Sequence, residues 1–539
     1  MGSVYFYHMF VQQLIPYNQT NSFTKIVLDY LQLSEKLKPF YSFPPNKEGV
    51  KNAIEQKKKH KINRFLLVEE LQKQYAPAPA IAAVNKNIEL LKQENTFTIC
   101  TAHQPNLFTG PLYFMYKILH AIKLAASLKE QFPENNFVPV YYMGSEDADF
   151  AELNHTYVQG KKIEWKKVQT GAVGRMVVDE TLIQLIDELQ NQLYADAYVS
   201  EVIGLLKRCY TKGKNIQDAT FELVHELYGI YGLIVLIADN PNFKRQMINV
   251  FADDIFQQTS SSIVSKTSEA LDKHYKVQAN PREINLFYLK GNTRERIVRK
   301  GNDFLIHNSE IKFTGEELKK ELNEHPDRFS PNVILRGLYQ ETILPNIAFI
   351  GGGGELAYWL QLKELFTHYS VPYPVLILRN SFLIIEKQWQ ELMKKLALNN
   401  NDIFLSELQL LNLVIEREGR KPQLNGELTK VEQVYAQLDE LATDIDSTLS
   451  QHVAALKAKT IKQLQNLEKK MMRAERKKHE VLQNQITKLK QALFPSGGLQ
   501  ERVENFSSFH AKWGRVFIDE VLKNSLTLEQ EFVVLSKTL

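Results

Sequence analysis

Five short apolar runs punctuate the first 380 residues: Phe97–Thr101, Phe137–Met143, Leu233–Ala238, Asn346–Ile350 and Val375–Leu378. None alternates polar with apolar positions, the pattern expected of strands covered on both faces. A helical stretch follows the first run (Tyr113–Leu128) and another follows the fourth (Glu355–Phe366). Strand, loop, helix, strand predicts βαβ units and a parallel sheet. About 90 residues separate the second run from the third, and about 105 the third from the fourth. One crossover helix needs far fewer, so insertions at about 157–230 and 241–340 are expected to cover the site. The second insertion contains Leu286–Leu289, then Arg294, Arg296 and Arg299, and reads as a small β-rich piece with basic residues. Residues 1–95 read as a helical segment packed on a core at 96–380. The lysines of Lys47–Arg64 read as a solvated helix face.

The pattern changes in residues 381–539. From Glu427 to Phe494 there is neither Gly nor Pro. Apolar residues recur at three- and four-residue steps: Val431, Val434, Leu438, Leu441, Ile445, then Leu464, Leu467, Met471, Ala474, then Leu482, Ile486, Leu489, Leu493. That is a heptad seam, and it predicts a coiled-coil arm. One unbroken helix of this length would extend roughly 100 Å. Such an arm must fold back as a hairpin, pair with a second copy, or both. Phe494-Pro495-Ser496-Gly497-Gly498 ends it, and a short helical tail returns to the core.

Composition narrows the class. Hydrophobic residues are 44% and charged residues 24%, a globular balance in a chain of 539 residues that calls for more than one domain. A net charge of +4 over 66 basic and 62 acidic residues gives no electrostatic case for nucleic acid or an anionic membrane. Two cysteines, Cys100 and Cys209, favour a reducing cytoplasm over a disulfide scaffold. No signal peptide, membrane span or metal-ligand run of Cys and His is expected.

The chemistry gathers at the strand ends, where parallel sheets bind ligands. After the first run comes His103-Gln104-Pro105-Asn106, with Gly110 before the helix. The side chains are polar, the glycine lets backbone approach closely, and the helix start offers free N–H groups to an anion. After the second come Glu146, Asp147 and Asp149, then Asn154 and His155. Three acids in four residues repel one another unless solvated or paired with a cation or amine; they could serve general-base work or decorate a helix start. The fourth runs into Gly351–Gly354 and Glu355, with Tyr358 beyond. Bare backbone at Gly353 and Gly354 could lie against a ligand, but the loop matches neither a Walker nor a GxGxxG pattern. Arg336 could grip a substrate carboxylate or form a structural salt bridge. Asp239 and Arg379-Asn380-Ser381 complete the ring. Cys100, inside a strand, reads as a buried small hydrophobe.

Taken together, the runs His103–Tyr113, Glu146–His155, Gly351–Trp359 and Leu493–Arg502 resemble the BshC family of bacillithiol biosynthesis, in the right order and over essentially the whole chain. The resemblance implies an α/β fold with a Rossmann-like core, akin to nucleotidyltransferases and class I tRNA synthetases. It also implies two inserted connecting segments and a coiled-coil arm for homodimerisation. The implied reaction joins L-cysteine to glucosaminyl malate through an amide, yielding bacillithiol. Family members commonly carry His between two of the acids, where this chain has Ala148; if that His is the family's base, this chain would need another, His103 or His155.

On that reading Glu146 or Asp149 would hold or deprotonate an amine, His103 and the following helix start would stabilise the developing anion, and Arg336 would orient a malate carboxylate. ATP is the simplest activator, without a standard motif here, and a nucleotide could also sit near the Leu493–Arg502 break. Alternatives are a nucleotidyltransferase acting on another small molecule and a coiled-coil scaffold without catalysis.

Overall fold

The computed structural model describes residues 9–167, 170–417, 424–477 and 480–538. The chain divides into two compact units: Met1–Leu383 with Gly498–Val533, and Ile384–Gly497 with Val534–Leu539.

The five apolar runs form one sheet in the first unit. Its strands are β1 (Thr96–His103), β2 (Asn136–Met143), β3 (Ile234–Ile237), β4 (Asn346–Gly351) and β5 (Val375–Leu378), in spatial order β5-β4-β1-β2-β3. Every pairing is parallel, as the unbroken apolar runs require. Polar strand residues find partners within the sheet: Thr98 donates to Asn346 Oδ1 (3.2 Å) and Thr101 to the Ile350 carbonyl (2.9 Å). Cys100 is fully buried. After β1 the chain steps one way to β2 and β3, then returns to the other side of β1 for β4 and β5. The order therefore reverses between β1 and β4, and a crevice opens at the carboxyl ends of those two strands.

Helix α1 (Tyr113–Gln131) follows β1 and contributes Ala121, Leu124 and Leu128 to the core around Phe97, Ile99, Ile347 and Ile377. Helix α2 (Val333–Ile343) precedes β4, and the short α3 (Gly353–Trp359) follows it. The expected single helix over Glu355–Phe366 is thus two, the second being Lys363–His368. The N-terminal segment is mainly helical but contains a strand, Phe10–Pro16. Its lysine-rich helix Lys47–Lys58 is not wholly solvated. Val50, Ala53 and Ile54 join the core, and Lys57 is buried against Glu341 at 3.4 Å.

Between β2 and β3 lie a short helix (Phe150–Leu153), a hairpin (His155–Val158 with Lys161–Glu164) and the longer helices Glu180–Gln192, Val199–Cys209 and Ile216–Tyr228. Between β3 and β4 lies an antiparallel five-stranded sheet that includes Leu286–Lys290 and Thr293–Lys300. In the second unit, helices Asn425–Ile445 and Leu449–Lys477 fold back on each other through a turn at Asp446–Thr448. Tyr435 and Thr460 hydroxyls meet across the pair at 2.8 Å. Of the expected arm geometries, this is the hairpin. Among the described residues no helix is long and apolar enough to cross a membrane.

Candidate active site

The crevice at the switch point is a cleft of about 760 Å³. It is walled by His103 and Gln104 from the end of β1, Asp147 after β2, Arg336 on α2, Gly352–Glu355 after β4, Tyr358 on α3 and Arg379 after β5. Arg282, Phe287 and Arg294 reach it from the second insertion, and Arg502 from the returning tail.

The loop that carries His103 is held by backbone geometry. Phe108, Thr109 and Gly110 all have positive φ, and a side chain at Gly110 would meet Asn106 at 2.8 Å. Asn505 fastens this turn by donating to the Phe108 carbonyl (2.9 Å) and the Gly110 carbonyl (2.6 Å). Gly110 therefore shapes the turn and does not face the cleft. The Leu112 amide, first in the turn expected to bind an anion, donates instead to the Glu504 carbonyl (2.7 Å).

His103 stands between the rings of Tyr113 and Phe114, each centred 5.3 Å away. Its Nε2 is buried without a hydrogen-bond partner among the described residues. Burial, then the charges of Lys117 and Arg379, hold its pKa well below the usual imidazole value, so it is neutral at pH 7. Asp147 accepts from Gln104 Nε2 (3.1 Å), from Arg336 Nη2 (3.4 Å) and from the Ala148 amide (3.0 Å), with Arg294 at 4.0 Å. Burial alone would raise its pKa. The two arginines and the Gln104 amide outweigh burial and keep it below the ordinary carboxylate value. The Arg294 guanidinium carbon also sits over the Phe287 ring, 4.0 Å from its centre.

On the opposite wall Glu355 accepts from the Gly352 amide (2.8 Å), capping α3, and pairs with Lys117. Lys117, on α1, is buried and also donates to the Ala102 carbonyl (2.9 Å). Arg379 is fixed by Glu501 (2.7 Å) and lies over the Tyr113 ring.

Asp149 is exposed, at the start of the short helix Phe150–Leu153, and does not line the cleft. Glu146 turns inward, pairs with the fully buried Lys244, and does not reach the cleft. Asn154 donates to the Trp165 carbonyl (3.2 Å) and its Oδ1 meets His155 Nδ1 (3.2 Å), which makes it a support for that imidazole. His155 and Asn106 line a second, smaller cavity next to the cleft, of about 280 Å³. The structure thus gathers His103, Gln104, Asp147, Arg336, Gly353, Gly354, Glu355 and Tyr358 in one cleft, and leaves Glu146, Asp149, Gly110 and Asn154 outside it.

Lys117, Arg282 and the tether Asn505 were not singled out from sequence; Arg294 was read only as a basic residue of the second insertion, and Glu501 and Arg502 only as part of the Leu493–Arg502 run, none with a role in the cleft. Lys117 alone left a local signal, as a charge on the otherwise apolar start of α1, among Phe114, Met115, Tyr116 and Ile118. Among the described residues no group of three or more His, Cys, Asp or Glu side chains could hold a metal ion.

Two family models match the chain. Residues 9–380 match "Bacillithiol biosynthesis BshC, N-terminal Rossmann-like domain", and residues 382–537 match "Bacillithiol biosynthesis BshC, C-terminal coiled-coil domain". The protein named "Putative cysteine ligase BshC" from Cytophaga hutchinsonii is 38% identical over 93% of this chain and 94% of its own length. One of the same name from Flavobacterium johnsoniae is 38% identical over 97% of this chain and 99% of its own.

Proposed function

This chain belongs to the BshC family of bacillithiol biosynthesis, and from that premise we propose that it is a carbon–nitrogen ligase joining L-cysteine to glucosaminyl malate. The amide forms between the cysteine carboxyl carbon and the glucosamine nitrogen, and completes bacillithiol. The observation that carries this reading is the charge of the cleft. Lys117, Arg282, Arg294, Arg336, Arg379 and Arg502 line it against only Asp147 and Glu355. A cationic crevice of this size suits a substrate bearing two malate carboxylates.

In this mechanism Arg336 and Arg294 orient the malate, and Asp147 holds both guanidiniums in place. His103, neutral and lining the cleft, accepts the proton that the attacking amine releases. A cysteine carboxylate does not condense unaided in water. A nucleotide, when bound, supplies the leaving group that carries off the carboxylate oxygen, and the exposed Arg282 and Arg502 suit its phosphates. Glu146 and Asp149 take no part in this mechanism, because Lys244 already pairs with Glu146 and Asp149 is exposed outside the cleft. We further propose that the arm pairs with a second copy, since Leu441 (61% exposed) and Ile445 (81%) keep much of the heptad seam in solvent.

The deciding assay incubates purified protein with L-cysteine and glucosaminyl malate, with and without ATP, and follows bacillithiol by mass. Product under at least one condition is expected. A blank in all of them, from folded protein, removes the ligase reading. Light scattering should return twice the chain mass, and a monomer at micromolar concentration would remove the dimer.

A further inference from the structure

A ligation of two small molecules needs two places to bind, and the cleft has a neighbour. The side pocket of about 280 Å³ is lined by His103, Gln104, Asn106, Pro111, Tyr113 and Arg502, and also by Glu152, Leu153, His155, Thr156 and Tyr157. His103, Gln104, Tyr113 and Arg502 line the main cleft as well, so they form the boundary between the two cavities. Glu152, His155, Thr156 and Tyr157 lie only on the side pocket.

Among the described residues, three polar atoms of these wall residues are buried without a partner. Asn106 is 6% exposed and Thr156 1%, yet Asn106 Oδ1 and Thr156 Oγ1 have no hydrogen bond among the described residues, nor has His103 Nε2. These three atoms are closed off from solvent; what faces the cavity is a mixed polar wall, with one carboxylate, Glu152, and one guanidinium, Arg502, among its lining residues. The walls are held from outside. Asn505 donates its amide to the Tyr157 carbonyl (2.8 Å) while its side chain fixes the Gly110 turn, and Glu504 accepts from the Gln159 (2.9 Å) and Gly160 (2.8 Å) amides.

We propose that this side pocket is the subsite for the amino-acid substrate, a small zwitterion whose ammonium meets Glu152 and whose carboxyl faces the shared boundary at Arg502. The proposal rests on the ligase reading and adds to it the location and orientation of cysteine. Glu152 is the one carboxylate lining the pocket, and Arg502 its one cationic side chain at neutral pH. Because Arg502 also lines the cleft and Glu152 does not, the orientation follows. The carboxyl lies where the sugar amine can reach it, and the ammonium is withdrawn. Asp147 and Asp149 add negative charge around Glu152, which favours a cation there. Two amines are present in the reaction, and only one must attack. An ammonium held by a carboxylate stays protonated and is no nucleophile, so cysteine does not couple to itself.

The test is calorimetric titration of the full-length protein with L-cysteine, with 3-mercaptopropionate, which lacks the ammonium, and with glucosaminyl malate. Wild-type protein should prefer cysteine over mercaptopropionate by about tenfold or more, as loss of a charge-assisted contact predicts. Glu152→Gln should erase that preference and leave glucosaminyl malate affinity within about twofold, which also certifies the fold. Thr156→Val, on another wall, should weaken cysteine alone. Absence of the preference in wild type, its persistence in Glu152→Gln, or equal weakening of cysteine and glucosaminyl malate would each overturn the assignment. Binding needs no turnover, so the two readings fail separately. Protein that binds cysteine as described but makes no bacillithiol loses the ligase reading and keeps the pocket. Protein that makes bacillithiol with an unchanged cysteine KM in Glu152→Gln loses the pocket and keeps the ligase.

Discussion

Glu146 and Asp147 are neighbours on one turn but belong to two different charge clusters. Glu146 faces inward to Lys244, which also lies 3.4 Å from Asp239 and donates to the Asp327 carbonyl (2.9 Å). Asp239 in turn is held in bidentate fashion by Arg175, at 2.6 and 2.7 Å. In this inner cluster two acids meet two cations, and Lys244 is wholly excluded from solvent. Asp147 faces outward, where arginines exceed acids and open space remains. The inner cluster is complete and needs no ligand. The outer one carries charge that the protein leaves uncompensated, and that difference marks the cleft as the functional surface.

The comparison is broken most directly at Lys244. Lys244→Met leaves Glu146 without a counter-charge in a dry site, and removing one partner of a buried pair costs about 3–5 kcal/mol. Urea unfolding followed at Trp359 should show a loss of that order, and a change under about 1 kcal/mol would mean that the inner cluster is not structural. Arg336→Ala should do the reverse. Its side chain is 25% exposed and Asp147 keeps Arg294 and Gln104, so the stability loss should be well below that of Lys244→Met, while the KM for glucosaminyl malate rises about tenfold or more. A large stability loss with an unchanged KM would put Arg336 with the inner cluster.

A smaller, pH-dependent effect separates the two acids. The folded pKa of Asp147 lies below its ordinary value. It therefore contributes stability that is fully present above the ordinary carboxylate range, near pH 4, and lost as pH falls through the depressed folded value. Asp147→Asn should melt below wild type at pH 7, and the gap should close as the solution is acidified toward pH 3. Glu146 has the opposite sign: burial, only partly offset by Lys244, raises its folded pKa. Its ionisation disfavours folding as pH rises above the ordinary carboxylate range. A melting gap for Asp147→Asn that widens in acid would show that the arginines do not hold the carboxylate as described.

Sequence made the scaffold legible because strands covered on both faces have an unmistakable composition. It also made the strand ends legible, since His103, Asp147, Arg336 and Glu355 each follow or flank such a run. It could not separate Asp147 from Asp149 or Glu146. All three are acids within four residues, and only the turn, through the Gly144 amide bonded to the His103 carbonyl at 2.8 Å, decides which faces the cleft. Nor could it find Glu501, which reaches Arg379 across 122 residues, or Asn505, whose partners lie nearly 400 positions away. Such pairings depend on tertiary geometry and leave no local pattern. The arm's heptads foretold pairing, but the fold-back depends on a break at Asp446–Thr448 that contains no Gly or Pro. It rests on Asp446 accepting from the Thr448 amide and hydroxyl, both at 2.8 Å.

The finest test uses two glycines of one loop. A methyl group at Gly351 would meet Phe349 at 2.8 Å and Glu355 Cβ at 3.0 Å, so Gly351→Ala must displace packed atoms. At Gly354 nothing lies within 4 Å and φ is not positive, so the fold itself has no need of glycine there. Gly354→Ala should leave stability unchanged or raise it by up to about 1 kcal/mol, because the residue lies in α3. If a substrate lies against this bare backbone, the same methyl group should still raise a KM by a few-fold, a loss of function without loss of fold. If neither KM moves, the openness at Gly354 is incidental and the ligand-bearing wall of the cleft is the arginine side alone.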